Sequence, residues 1–300
     1  MIRYQIYGLI IESEIEIEEA IEYESDQCEP DVRILVGTMP SEIVQMAGAT
    51  NGGKNAIIPA REKLFFRVEH VAAYLIFADK ILVECMEEAS LSEIKTFLLG
   101  SALGYCMTLR QMVVLHGGCV ASSDKGVIVT GESGAGKSTV CNALRERGFL
   151  FVSDDVCAIS KDSSQVQMAY PQQKLCRDAA LRMGYELSDL IYINEDRDKF
   201  ALRLKDGYLK EGAKFCALYE LVAEEVEEVS IVKVEGHEKL FTLLRNIYRG
   251  EFSRKMWGMP PMMMKRCTNL AKEIEVFKIL RPMQGESLNQ IVDFIEKQTR

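Results

Sequence analysis

Apolar and polar positions alternate with a period of two through much of the segment from Ile2 to Ala89. The alternation predicts short strands at Tyr4–Ile10, Glu12–Ile17, Val32–Val36, Leu64–Val68, Ala73–Phe77 and Ile81–Glu84, and hence a largely antiparallel β region. At Ser90-Leu91-Ser92-Glu93 the pattern changes. A serine followed three residues later by glutamate is a capping box, and Ile94, Phe97, Leu98, Leu103 and Met107 follow near helical spacing until Arg110-Gln111. The change divides the chain into a β-rich region, residues 1–89, and a second domain, residues 90–300.

In the second domain, Val113–Ala121 and Gly126–Thr130 read as strands, and the connection between them is too short to cross over, so they are expected to pair antiparallel. A helix from Lys137 to about Arg147 stops at Gly148, and Phe149–Ser153 follows as another strand. The stretch from Thr130 to Phe149 can hold a βαβ crossover, which predicts parallel strands on either side of it. Further strands are expected at Ala201–Leu204, Cys216–Val222, Ser230–Val234 and Val276–Leu280. A terminal helix follows Ser287, with Leu288, Ile291, Val292 and Ile295 on one face. The fold class is α/β with a mixed sheet in the second domain, plus the β-rich N-terminal region.

Composition narrows the function classes. With 300 residues, 48% hydrophobic and 27% charged, the chain can bury a large core, which excludes a disordered protein. Its 36 Lys+Arg against 45 Asp+Glu give a net charge of -9, so nucleic acid and anionic membranes are not default partners. No apolar run approaches transmembrane length, and Met1–Ile11, interrupted by Gln5 and Gly8, is a poor signal peptide. Nine cysteines without a C-x-x-C pair read as reduced thiols, and the expected location is the cytoplasm.

One motif carries chemistry. Gly131-Glu132-Ser133-Gly134-Ala135-Gly136-Lys137-Ser138 fits G-x-x-x-x-G-K-[ST] between a predicted strand and a predicted helix. Glycines let consecutive backbone N–H groups turn inward as a nest, and the positive end of the new helix faces the same anion. Lys137 adds a point charge at the β- and γ-phosphates, and the Ser138 hydroxyl is a natural ligand for Mg²⁺. The expected nucleotide-binding set is Gly131, Ser133, Gly134, Ala135, Gly136, Lys137, Ser138 and Thr139, with ATP and Mg²⁺ as cofactors.

Asp154-Asp155 ends the next apolar strand, where acid groups can reach metal and γ-phosphate. One carboxylate can hold the metal and the other can take the proton of an attacking hydroxyl. Adjacent residues on an ideal strand point to opposite faces, so a single functional aspartate with a bystander is the alternative.

The stretch His116 to Asp155 resembles the HPr kinase/phosphorylase family, whose catalytic domain shares its architecture with ATP-dependent phosphoenolpyruvate carboxykinase. The resemblance rests on Leu115-His116-Gly117, the hairpin, the phosphate loop, Gly148 and Val152-Ser153-Asp154-Asp155. It implies that Asp154 is the base activating an acceptor serine, that Asp155 supports Mg²⁺ together with Ser138, and that His116 lies near the catalytic aspartate. A buried histidine satisfied by backbone groups is the other reading of His116. The family's later E-[IV]-R-G-x-G signature is absent, so phosphorolysis and HPr as substrate do not carry over with the resemblance and stay open. The chain is similar instead to shorter, divergent HPr-kinase-like proteins, some of which phosphorylate a serine of lasso-peptide precursors. HPr-family kinases are often homo-oligomers, but the missing signature leaves the oligomeric state of this chain open.

Among the later cations Lys174, Arg177, Lys199 and Arg203, Lys199 is favoured as an aid to transfer. His70 and His237 read as structural or solvent-facing. The acidic runs Glu12–Glu29 and Glu220–Glu228 read as a solvated strand face and an exposed edge or turn. Met256–Met264 reads as a Pro-broken turn packed into the core or a pliable peptide-docking surface. The expected activity is transfer of the γ-phosphoryl group of ATP to a serine of a peptide or protein. Rival expectations are a kinase for a small hydroxylated metabolite such as free serine, and a nucleotide-binding regulatory ATPase.

Overall fold

A computed structural model describes residues 1–25, 27–48, 57–59, 62–193, 198–250, 258–283 and 287–300. The first sheet has eight strands, in the order Ile21–Glu22, Ile2–Ile6, Leu9–Ser13, Val32–Val36, Lys80–Cys85, Ala72–Ile76, Leu64–Val68 and Ile57–Pro59. Two expectations are corrected here. The Tyr4–Ile10 run is not one strand but a hairpin, because Tyr7 and Gly8 both adopt left-handed backbone angles, φ 54 and 70, and turn the chain in two residues. The sheet is also mixed: Val32–Val36 pairs parallel with both of its neighbours, since the segments before and after it are long enough to cross over.

Ser90 caps the helix Leu91–Phe97 as its capping box predicts, with the Ser90 hydroxyl accepting from Glu93 N and Glu93 Oε2 accepting from Ser90 N. The helix continues through a π turn, Leu98–Ala102, into Leu103–Leu109. The wider turn absorbs the five-residue step from Leu98 to Leu103, so Ile94, Leu98, Leu103 and Met107 all stay in the core. That core also takes in Tyr4, Tyr7 and Tyr74 of the first region and Val114, Val156, Tyr170 and Tyr248 of the second. Apolar packing is therefore continuous across residue 90.

The second sheet is built on the hairpin Val113–Ser122 and Lys125–Gly131, antiparallel as its short turn dictates. The strands on either side of the crossover are parallel, as expected, but they are not neighbours. Leu150–Ser153 pairs antiparallel with Val113–Ser122, so it runs in the same sense as Lys125–Gly131 but with another strand between them. The direct parallel neighbour of the loop-bearing strand is Ala213–Glu224, which in turn pairs parallel with Glu275–Pro282. Helices Lys137–Glu146 and Leu288–Thr299 cover one face of this sheet through Val140, Leu144, Ile291, Val292 and Ile295. Pro261–Glu273 packs Met263, Cys267 and Leu270 into the other cluster.

Pro260 and Pro261 thus open a helix, where proline at the first positions loses no hydrogen bond, rather than breaking a turn. Met256 and Trp257 lie outside the described residues. A small third sheet, Gln172–Cys176, Lys199–Arg203 and Ile191–Ile193, stands beside the aspartate pair. No helix among the described residues is long and apolar enough to cross a membrane. All nine cysteines are free thiols.

Candidate active site

The phosphate-loop motif begins where the strand Lys125–Gly131 ends. Gly131 has φ 136, and a Cβ there would stand 2.3 Å from the Leu221 carbonyl oxygen, so only glycine fits. Gly136 has φ 102 and forms the N-cap of the helix Lys137–Glu146. These angles give a glycine cradle opening onto a helix N-terminus, the arrangement that collects backbone N–H groups around an anion. Lys137 Nζ donates to the carbonyls of Gly131 and Glu132 at 3.0 Å each and so lies across the mouth of the loop. Burial holds its pKa below the ordinary lysine value, against the pull of Asp155 and Asp154.

From outside, Arg281 at the end of Glu275–Pro282 grips the same loop. Its Nε donates to the Ala135 carbonyl at 2.7 Å and its Nη2 to that of Gly134 at 3.3 Å. Because a peptide unit is planar and trans, fixing the Ala135 carbonyl on Arg281 also fixes the Gly136 N–H, which points the opposite way. Gln173 ties the third sheet to the helix by donating from Nε2 to the Ser138 carbonyl at 3.1 Å.

Asp154 and Asp155 lie between the strands Leu150–Ser153 and Val156–Ile159. Asp155 has φ 66, so the chain leaves strand geometry here and the opposite-face rule does not separate the two carboxylates. Asp154 Oδ2 accepts the main-chain N–H of Lys174 at 2.7 Å. Burial, and then the Asp155 carboxylate, raise the Asp154 pKa to about 6. For Asp155 burial pulls upward, but His116, Lys174, Lys199 and Lys137 together outweigh it and hold the group below the ordinary aspartate value. One carboxyl is thus poised as a base near neutrality and its neighbour stays charged, the division that acid-base and metal-holding roles require.

His116 Nδ1 stands 3.1 Å from the Asp155 carbonyl oxygen and 3.4 Å from its Oδ1. Burial lowers the His116 pKa despite the attraction of Asp155. Both readings of the histidine meet in this geometry, since it bonds a backbone group and also adjoins the acid pair. Lys199 acts electrostatically on Asp154, Asp155, His116 and Lys137 alike. Arg177 instead pairs with Asp198, and Arg203 with Glu18. His70, in a turn with φ 63, and His237, at the start of the helix Glu238–Arg245, stand apart from the site.

Several residues beside the site carry no motif. Glu220, expected in an exposed acidic run, is buried on the strand Ala213–Glu224 opposite Thr130. It accepts two bonds from Arg245, at 2.7 and 2.6 Å, and one from Asn246 at 2.8 Å. Asn246 also bonds Thr130, and its carbonyl accepts the His116 N–H, so one network ties both strands of the hairpin to Glu220 beside the start of the phosphate loop. Its only sequence signal is polar residues in an apolar strand and helix. Arg249, which follows Tyr248, is drawn electrostatically toward Asp155.

Among the described residues no three His, Cys, Asp or Glu side chains gather as a metal cage. Mg²⁺ beside a nucleotide is ordinarily held by one or two protein groups plus phosphate oxygens, and Ser138 with the charged Asp155 suits that pattern. The glycine cradle and Lys137 suit a triphosphate.

Residues 107–182 match the family model described as the HPr Serine kinase C-terminal domain, a span that contains the loop, both aspartates and His116. This segment is HPr kinase-like. Over 73 residues the chain is 37% identical to the HPr kinase/phosphorylase of Mycoplasmopsis pulmonis (strain UAB CTIP), covering 24% of this chain and 23% of that protein. The chain therefore spans about a quarter of the length of the curated relative it matches. A solved structure, the Hpr(Ser) kinase/phosphatase from Coxiella burnetii, aligns over 62% of this chain and 88% of that one with 17% identity and a TM-score of 0.31. The HPr kinase-like segment thus coincides with the part of the fold where the candidate site lies.

Proposed function

We propose that this protein is an ATP- and Mg²⁺-dependent kinase that transfers the γ-phosphoryl group to a serine hydroxyl of a peptide or protein. The observation that carries the reading is the placement of Asp154, with its raised pKa, in one electrostatic cluster with the phosphate-loop lysine, Lys137. The HPr kinase-like segment supports it, since the curated relative is named HPr kinase/phosphorylase.

Bound Mg·ATP would supply the phosphoryl group and an electrophilic phosphorus. Gly131, Ser133, Gly134, Ala135, Gly136, Lys137, Ser138 and Thr139 would hold the phosphates, and Ser138 and Asp155 the metal. Lys137 leaves the Gly131 and Glu132 carbonyls for the phosphate oxygens, where its charge offsets the charge that spreads over the transferring group. Asp154 accepts the acceptor's proton at the oxygen not held by Lys174 N–H. His116 positions Asp155 through the contacts of its Nδ1 with the Asp155 carbonyl and Oδ1.

The direct test mixes the protein with Mg·ATP and serine-containing peptides and reads the products by mass spectrometry. A mass gain of one phosphoryl group on serine supports the reading. Steady release of inorganic phosphate without any modified acceptor favours the regulatory ATPase instead.

A further inference from the structure

A cavity of about 270 Å³ opens beside the aspartate pair, between the loop carrying Glu18 and Glu19, the helix beginning at Leu91, and one face of the third sheet. Lys174 belongs to both places. Its main-chain N–H holds Asp154, while the residue lines the cavity wall. Tyr170, also on the wall, interacts electrostatically with Asp154, Asp155 and Glu19, so the cavity lies within the electrostatic reach of the site.

The strand register sets a row of cations on that wall. Lys174 pairs with Ala201, Gln172 with Arg203, and Cys176 with Lys199. Side chains directly opposite share a face, and residues two apart along a strand share it too. Lys199, Lys174 and Arg203 therefore stand on one face, beginning at the aspartates and ending at the far side of the cavity. Lys174 and Arg203 are diagonal neighbours, about 7–8 Å apart at the backbone.

The two ion pairs lining the cavity differ in kind. Lys95 and Glu19, 2.8 Å apart, are 8% and 11% exposed, a fixed pair that closes one wall. Arg203 and Glu18, 2.7 Å apart, are 40% and 51% exposed. An exposed pair contributes little and exchanges partners readily, and a guanidinium matches a carboxylate with two parallel bonds. Arg203 is thus the cation able to turn to a ligand.

Resting on the kinase reading above, we propose that this cavity is the acceptor subsite and that it selects an acceptor bearing a carboxylate within about two residues' reach of the hydroxyl. The hydroxyl lies at Asp154 and the carboxylate at Arg203, with Lys174 between them. An acidic side chain in a peptide and the α-carboxylate of free serine present the same chemistry.

The test measures kcat/KM with Mg·ATP for peptides carrying Glu, Gln or Lys one or two residues from the serine, and for L-serine against L-serine amide. A carboxylate preference of about tenfold or more is expected, among the peptides if the group is a side chain and for L-serine over its amide if it is the α-carboxylate. Arg203→Gln should abolish that preference. Arg203→Glu should turn it toward the Lys peptides, with KM for ATP and the melting temperature unchanged. Equal use of all acceptors by the wild type, or a preference that survives Arg203→Glu, overturns the proposal while leaving the kinase reading intact. If no acceptor is phosphorylated although ATP binds, both fall together.

Discussion

Lys174 and Asp154 are joined by a bond that involves no lysine side chain: the Lys174 N–H donates to Asp154 Oδ2 at 2.7 Å. Anchoring one oxygen fixes the carboxyl plane, and Oδ1 lies on the side of Gly118, where an added Cβ would stand 3.7 Å away. A main-chain donor thus orients the proposed base without spending a side chain on the task.

From that geometry, Asp154→Asn should keep the fold and nucleotide affinity and slow transfer by roughly 10²- to 10⁴-fold, the usual weight of a general base. Single-turnover phosphorylation alongside an ATP titration checks this. An equally fast variant removes Asp154 from the role.

The two aspartates should titrate apart in protein free of divalent ions. Asp154 holds its proton until about pH 6, and Asp155 loses its own below the ordinary value of 3.8. Since folded Asp154 binds its proton more tightly than the unfolded chain does, its contribution to stability is fully present below about pH 3.8 and is lost as pH rises through about 6. Asp155 has the opposite sign, and its contribution is lost as pH falls below 3.8. Carboxyl NMR titration reads the two groups directly, and Asp154→Asn should flatten the pH dependence of the melting temperature between 4 and 6.

Lys137→Ala removes the point charge from the loop mouth. The barrier to transfer should rise by about 3 kcal/mol, as for loss of one electrostatic donor, with weaker ATP binding. Normal turnover by this variant would contradict the phosphate-loop assignment.

Arg281 offers a test of how the loop is shaped. Arg281→Ala frees the Ala135 and Gly134 carbonyls and should weaken binding of ADP and ATP about tenfold while leaving the melting temperature within a few degrees. Calorimetric titration with ADP and with pyrophosphate should show the same loss, because both use the loop. Unchanged affinity for both would limit Arg281 to packing.

The phosphate loop is legible in the sequence because its chemistry needs specific residues at fixed spacing, and Ser90 with Glu93 is legible for the same reason. The hairpin at Tyr7-Gly8 is not, because tyrosine is an uncommon residue at positive φ and the apolar alternation reads through it. Nor is the identity of the parallel neighbour, since Ala213–Glu224 lies far along the chain from Lys125–Gly131 and local pattern says nothing of pairing order. Lys174 acts on Asp154 through its backbone, which has no sequence signature. Arg281 and Glu220 reach the loop only through sheet pairing, so a reader of motifs passes over both.

In the proposed kinase a triphosphate lies in the bend of residues 131–138 with the Asp154 carboxyl beside its terminal phosphorus. A crystal structure with Mg²⁺ and a non-hydrolysable ATP analogue measures this directly. The expected result is phosphates in the glycine cradle, Lys137 turned from the Gly131 and Glu132 carbonyls onto them, and an Asp154 oxygen within one hydroxyl's width of the γ-phosphate. A cradle left empty at saturating analogue, or both carboxyl groups directed away from the γ-phosphate, would contradict it.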